Sequence, residues 1–118
     1  MSVSTGFRAF ALEQLRRTVP DVRARSMFGG IGIYAGELFF GLMDDDVLYF
    51  KVGDSNRGLF EARGMGPFRP SGEGREVMQY YEVPADVLED VEMLAPWVEA
   101  AVAVARQAKR GKSRRGRG

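Results

Sequence analysis

The chain of 118 residues has the length of a single domain, and 45% of its residues are hydrophobic, which is enough for one packed core. It contains neither Cys nor His, so disulfides, Cys/His zinc sites, cysteine nucleophiles and Ser-His-Asp triads are excluded. Its net charge of +1 is unevenly distributed, because residues 1–108 carry 11 basic and 16 acidic residues whereas residues 109–118 carry six basic residues and no acid. We therefore expect a folded acidic domain over residues 1–108 and a disordered basic tail over residues 109–118.

The sequence carries no signal for a membrane. No stretch approaches the roughly 20 apolar residues that a spanning helix needs. The first residues also lack a basic region followed by an apolar run, as a secretory signal would have. We therefore expect a cytoplasmic protein with no membrane partner.

The first predicted element is a helix that begins after Ser4 or Thr5, either of which can cap it, and runs to about Thr18. Apolar residues spaced three or four positions apart predict its buried face: Phe7, Phe10, Ala11 and Leu15. Pro20 ends the helix.

Runs of β-branched and aromatic residues follow at 31–35, 37–43 and 47–52, and a shorter run at 25–28 leads into them. Glycines and acidic residues separate the runs, a pattern typical of an antiparallel meander. Both alternating sides of these runs are fairly apolar. We therefore expect helices on one face of the sheet and a partner subunit or a ligand on the other.

A short helix is predicted over residues 55–63, with Asp54 as its N-cap and with Leu59 and Phe60 pointing inward. Gly64 ends this helix.

The last third of the domain is predicted as a loop over 66–74, a strand over 75–83 and a long helix over about 90–108, with Pro96 near its first turn. The predicted order is α-β-β-β-α-β(β)-α. This order indicates an α+β fold, with an antiparallel sheet of about five strands and helices mainly on one face.

Five segments together resemble the TfoX/Sxy N-terminal domain family. The first segment contains the MFGG sequence and the strand after it, and the others keep the family order: 25–34, 48–52, 56–61, 66–68 and 80–84. We interpret the following family-motif positions as structural: Met27, Phe28, Gly29, Gly30, Lys51, Phe68, Tyr80 and Tyr81. The resemblance covers roughly residues 20–105.

The resemblance implies a regulatory binding protein connected with transcription and competence, without catalytic chemistry or a cofactor. Full-length members usually carry a C-terminal helical domain, so the resemblance implies a stand-alone N-terminal domain here. It also implies a layered fold whose relatives often form dimers.

The basic tail is the sharpest candidate site. Its six cations can follow a phosphate backbone and release counterions: Lys109, Arg110, Lys112, Arg114, Arg115 and Arg117. No aromatic residue is interleaved, so contact with DNA or RNA would be independent of sequence. The alternative is a solvated tail that keeps the protein soluble.

The other candidates have structural alternatives. The paired glycines at 29–30 are followed by a strand rather than a helix, so a bulge or tight turn is favoured over a phosphate loop. The acidic turn at 44–46 lacks calcium-loop spacing, and an ordinary turn is favoured over a metal site. Lys51 lies in an apolar strand, where it could act as a nucleophile or bind an anion, although packing of its stem along the sheet is commoner.

Three functions are therefore compared. The first is a TfoX/Sxy-like regulator that contacts nucleic acid through its tail. The second is a dimeric, chaperone-like protein-interaction module with no nucleic-acid role. The third, an enzyme or small-ligand binder built around Lys51 and the sheet, is disfavoured because so few suitable side chains are present.

Overall fold

The computed structural model describes residues 3–27, 29–70 and 77–116, with side chains as far as residue 111. Its described elements are α1 (Thr5–Thr18), β1 (Val22–Met27), β2 (Gly30–Ala35), β3 (Leu38–Asp44), β4 (Val47–Lys51), α2 (Arg57–Glu61), β5 (Pro67–Phe68), β6 (Val77–Glu82), α3 (Ala85–Glu89) and α4 (Val91–Gly116). The predicted α+β class is confirmed. The described sheet has six strands, where the sequence predicts about five.

The strands pair antiparallel in the order β1-β2-β3-β4-β6-β5. The additional strand is β5, which lies inside the segment that composition predicts as a loop. It pairs with β6. The first strand is also longer than predicted. It begins at Val22 because Val22 and Ala24 turn toward the core while Arg23 and Arg25 alternate outward, the period-two pattern of a half-buried strand.

The core lies between the sheet and the helices, on what we call the helix-covered face. Three phenylalanines there are fully buried: Phe40, Phe50 and Phe60. Phe60 of α2 packs against Tyr81 of β6 and Trp97 of α4, with ring centroids 5.9 and 4.7 Å apart. α2 and α4 therefore lie on the same side of the sheet.

A β-bulge in β3 changes which of the later side chains lie on each face of the sheet. Ile33 of β2 lies opposite Gly41 and Tyr34 lies opposite Phe39, so Phe40 is the extra residue. Phe39 lies beside Tyr34 on the other face, and the ordinary alternation of a strand turns Phe40 into the core, where it is 0% exposed. After the bulge, Met43 faces the core and Leu42, opposite Gly32 and Tyr49, faces away from it.

No helix among the described elements packs on that other face, which we call the open face. The strand register places the following side chains there: Arg23, Arg25, Met27, Tyr34, Phe39, Leu42, Tyr49, Lys51, Tyr80 and Glu82. None of the described helices is both long enough and apolar enough to cross a membrane.

Two residues predicted to be buried are exposed. Phe10 in α1 is 40% exposed and Leu59 in α2 is 41% exposed. Ala11 and Leu15 are buried as predicted, and Leu12 and Gln14 complete the buried stripe of α1. A polar residue belongs to this stripe because the Gln14 amide donates a hydrogen bond to the Leu88 carbonyl, 3.0 Å away.

The predicted cap of the short helix was also wrong. Asn56 precedes α2 and is 1% exposed, whereas Asp54 lies outside the helix. The Asn56 Oδ1 accepts a hydrogen bond from the Gly53 amide at 2.8 Å, and its Nδ2 donates to the Lys51 carbonyl at 3.0 Å. Asn56 therefore ties the end of β4 to the start of α2, a role that spacing alone does not reveal.

The basic segment spans residues 109–118, and its described residues, 109–116, are helical. Its composition predicts disorder, but α4 continues as a helix to Gly116. The described part is thus a helical extension of the last core helix. Lysine and arginine are good helix formers and are favoured at a helix C-terminus, which opposes the cost of about 1 kcal/mol for each glycine.

Candidate nucleic-acid interface

The basic segment starts at the edge of the domain. Lys109 Nζ lies 2.7 Å from Glu37 Oε1, in the turn between β2 and β3. This contact fixes where the segment leaves the domain. Arg110 is the next exposed cation. The side chains predicted at Lys112, Arg114 and Arg115, and the whole of Arg117, lie outside the described residues.

The open face carries a row of aromatic rings across three strands. Tyr34 stacks on Phe39, with centroids 5.0 Å apart and planes 25° apart. Phe39 in turn contacts Tyr80, with centroids 5.6 Å apart. Tyr80 is almost completely covered, whereas Tyr34 and Phe39 are half-buried. Sequence reasoning did not identify Tyr34 and Phe39 as site residues, because their common face depends on the register of β2 and β3.

Lys51 belongs to this row. Its Nζ lies 5.1 Å from the centroid of the Tyr80 ring, a cation–π distance. Burial, followed by the charge of Tyr34, raises the pKa of Tyr80 to about 12. This geometry gives Lys51 a structural partner on the sheet, in agreement with the packing interpretation of that lysine.

Arginines flank one end of the row. Arg23 lies opposite Tyr34 in the β1–β2 register, and Arg25 lies two residues further along β1 on the same face. The Arg23 Nη2 donates a hydrogen bond to the Gly36 carbonyl at 2.8 Å. Together with Ala24 and Glu37, these residues line a cavity of about 460 Å³, which we call the edge cleft.

The other end of the open face is acidic. Tyr49 packs against Phe68, with ring centroids 4.7 Å apart. Burial, followed by the charge of Glu82, raises the pKa of the Tyr49 hydroxyl. Asp44 is also close enough to contribute to that shift. The open face therefore has a basic, aromatic half and an acidic, aromatic half.

The glycine motif shapes the β1–β2 hairpin. Met27 pairs with Gly30, and Gly29 has a positive φ of 83°. A Cβ on Gly30 would lie 2.7 Å from the Met43 carbonyl oxygen, closer than side chains tolerate. These constraints support the prediction of a tight turn, and Phe28 lies outside the described residues.

The acidic turn joins β3 to β4. Asp45 and Asp46 have φ values of 52° and 60°, the left-handed conformation that a tight hairpin requires. The Asp46 Oδ1 accepts a hydrogen bond from the Ser4 amide at 2.7 Å, so this turn also holds the start of α1. Within the described residues, no group of three or more acidic side chains is arranged to hold a metal ion.

These features define a small α+β domain, with one sheet face closed by helices and the other presenting rings and charges. The model of the TfoX N-terminal domain matches residues 13–105, most of the chain. The chain therefore belongs to the TfoX N-terminal domain family, as the five motifs predicted. No curated protein matches the chain.

Proposed function

We propose that the chain is a TfoX/Sxy-type regulatory protein that contacts nucleic acid without sequence specificity through its basic segment. It would act by binding rather than by catalysis. The observation that supports this proposal is six cations, with no acid, in the last ten residues of a chain whose other residues carry a net charge of −5. Such a segment neutralises phosphates and releases their counterions.

The helical start of the segment supports the same function. α4 carries the first basic residues away from the acidic domain on a continuous helix. The exposed Lys109–Glu37 ion pair links the first cation of the segment to the turn between β2 and β3. The basic segment therefore begins at a defined position on the domain, beside the turn between β2 and β3.

The proposal is tested by salt-dependent binding of the full chain to labelled DNA and RNA. Six contacts to a single strand predict a slope of log affinity against log salt of about −4. Affinity would then fall on the order of a hundredfold between about 50 and 200 mM salt. A full-length variant with all six cations replaced by Gln is expected to lose the slope and most of the affinity.

The matched control removes arginines outside the segment. Arg8 and Arg17 are exposed on α1, so R8Q/R17Q lowers the net charge without touching the basic segment. This variant is expected to bind like the parent. Unchanged binding by the six-Gln variant, or an equal loss in the control, would overturn the proposal.

A second candidate function, self-association through the open face, is favoured by its apolar exposure. Met78 lies on β6 two residues before Tyr80, on the same face, and is 48% exposed. Tyr49, Phe68 and Leu42 are only half-buried nearby. Light scattering tests self-association. A dimer that Met78→Glu disrupts would support it, and a strict monomer would exclude it.

A further inference from the structure

The edge cleft is lined by Arg23, Ala24, Arg25, Tyr34, Gly36 and Glu37 and encloses about 460 Å³. This volume falls in the range of small-ligand sites in proteins. The cleft lies where β1, an edge strand, meets the turn that receives the basic segment. It combines one aromatic ring, two guanidinium groups and one carboxylate.

The ring in the cleft is the last member of a stack. One side of Tyr34 packs on Phe39, which contacts Tyr80. The β1–β2 register places Arg23 beside Tyr34, away from Phe39. A planar group entering the cleft would therefore extend the existing row of rings, with Tyr34 already held in place by its neighbours.

The charges in the cleft favour an anion. The Glu37 carboxylate forms an exposed ion pair with Lys109, which offsets part of its negative charge. Arg23 is held over the turn by its bond to the Gly36 carbonyl. Within the described residues, Arg25 has no ion pair or side-chain hydrogen bond. Two guanidinium groups therefore remain for a phosphate, which their forked donors suit well.

We propose that the edge cleft binds one nucleotide of a single-stranded nucleic acid, with the base stacked on Tyr34 and its phosphate held by Arg23 and Arg25. This inference rests on the proposed function. Lys109, the first residue of the basic segment, touches the rim of the cleft at Glu37. A strand held by the basic segment therefore reaches the cleft without crossing the acidic half of the open face.

A nucleotide fits these features better than a second copy of the chain does. The cleft is a cavity of about 460 Å³ beside one stacked ring and two guanidinium groups, which suits one flat anionic group. A stable interface between subunits buries roughly 800 Å² per partner, far more surface than this cleft offers. Stacking on an aromatic ring is tolerant of base identity, so the site would add affinity for single strands with little sequence preference.

The test uses the full chain with an intact basic segment and two probes, labelled oligothymidylate and a DNA duplex of equal length. Tyr34→Leu is expected to weaken oligothymidylate binding about tenfold. Duplex binding is expected to be unchanged, because paired bases are not available for stacking. Arg25→Gln is expected to weaken single-strand binding and to make the salt slope shallower by about 0.7.

Two variants serve as controls. Tyr34→Phe keeps the ring and is expected to bind like the parent, so it separates stacking from misfolding. Tyr49→Leu removes a ring from the acidic half and is also expected to bind like the parent. Equal losses for Tyr34→Leu and Tyr49→Leu, or equal losses for single strand and duplex, would overturn the inference.

The same measurements separate this inference from the proposed function. Cleft variants without effect, combined with a large loss for the six-Gln variant, would overturn the cleft and retain the basic segment. Tyr34-dependent binding that survives when Arg110, Lys112, Arg114, Arg115 and Arg117 are replaced by Gln, with Lys109 kept beside Glu37, would retain the cleft and overturn the basic segment. Free thymidine monophosphate can be tested as a competitor of the labelled oligothymidylate. If it competes at the same concentration of nucleotide units, the ligand is a free nucleotide rather than a strand. If Arg25→Glu breaks a dimer and leaves nucleic-acid binding unchanged, the open face binds a second copy of the chain instead.

Discussion

The helix-covered face and the open face are formed by the same strands and contain similar numbers of aromatic rings, yet they have different environments. Phe39 and Phe40 are neighbours in sequence, and the alternation of side chains along β3 places Phe40 in the core and Phe39 on the open face. The rings of the core contact one another beneath the helices. The rings of the open face are flanked by arginines at one end and by acids at the other. Aromatic content alone therefore does not distinguish a core from an open sheet face.

The largest expected effect contrasts these two phenylalanines. Phe40→Ala should lower the free energy of unfolding by about 3–5 kcal/mol, because it leaves a cavity in a fully buried site. Phe39→Ala should cost less than half as much, since its ring is half-buried and packs mainly on Tyr34 and Tyr80. Urea denaturation of both variants measures the difference. Equal losses in the free energy of unfolding would mean that Phe39 on the open face is packed as tightly as Phe40 in the core.

A smaller effect is expected where the strands approach each other closely. Gly30→Ala should destabilise the domain by about 1–3 kcal/mol, because the new methyl group meets the Met43 carbonyl on β3 and neither backbone can move freely. Gly58→Ala is the matched control. Its Cβ would meet nothing within 4 Å, and alanine favours helix α2, so this change should be neutral or stabilising by up to about 1 kcal/mol. Thermal unfolding of both variants tests the contrast.

The open face should also show a dependence on alkaline pH. The pKa of Tyr80 is about 12 in the folded protein, above its ordinary value of 10, because its hydroxyl is buried. The folded state therefore holds this proton more tightly than the unfolded state does, and stability should fall between about pH 10 and 12. Spectrophotometric titration should detect a late-titrating tyrosine that Tyr80→Phe removes. A parent in which all tyrosines titrate together near pH 10 would contradict this burial.

The smallest effect is expected at an exposed ion pair on the helical side. Arg63 contacts Asp86 at 2.7 Å, and this contact lowers the pKa of the Asp86 carboxyl. Both side chains are solvent-exposed, so Asp86→Asn should change the unfolding midpoint by little more than the error of measurement. Any stabilisation from the pair should be present above the ordinary pKa of Asp and lost as the pH falls through the lowered value. A large shift in the midpoint would show that the pair is less accessible to water than its exposure indicates.

The fold class was predictable because alternating apolar residues and glycine turns encode an antiparallel sheet locally. The two-residue strand β5 was not, since its pairing with β6 depends on the tertiary position of Phe68 beside Tyr49. The buried face of α1 differs in part from the predicted face because a polar residue, Gln14, is buried there. Its amide donates a hydrogen bond to a carbonyl 74 positions away.

The candidate site was predictable only in part. The six cations are visible as a run in the sequence, and their proposed role stays a prediction. The edge cleft was not visible, because it depends on Arg25 and Tyr34 sharing a face and on Lys109 compensating the charge of Glu37. Period-two alternation along β1 shows that its arginines point to one side, but the residues opposite them are known only once the register is known.

The central claim, that nucleic acid binds along the basic segment and the basic half of the open face, is tested most directly by photo-crosslinking. The full chain would be irradiated with a single-stranded oligonucleotide that carries 5-iodouracil, and the modified peptides would be mapped by mass spectrometry. We predict adducts in the peptide that contains Tyr34 and in residues 109–118. Adducts confined to α1 and α2 on the helix-covered side, or to the acidic half around Tyr49, would contradict the account.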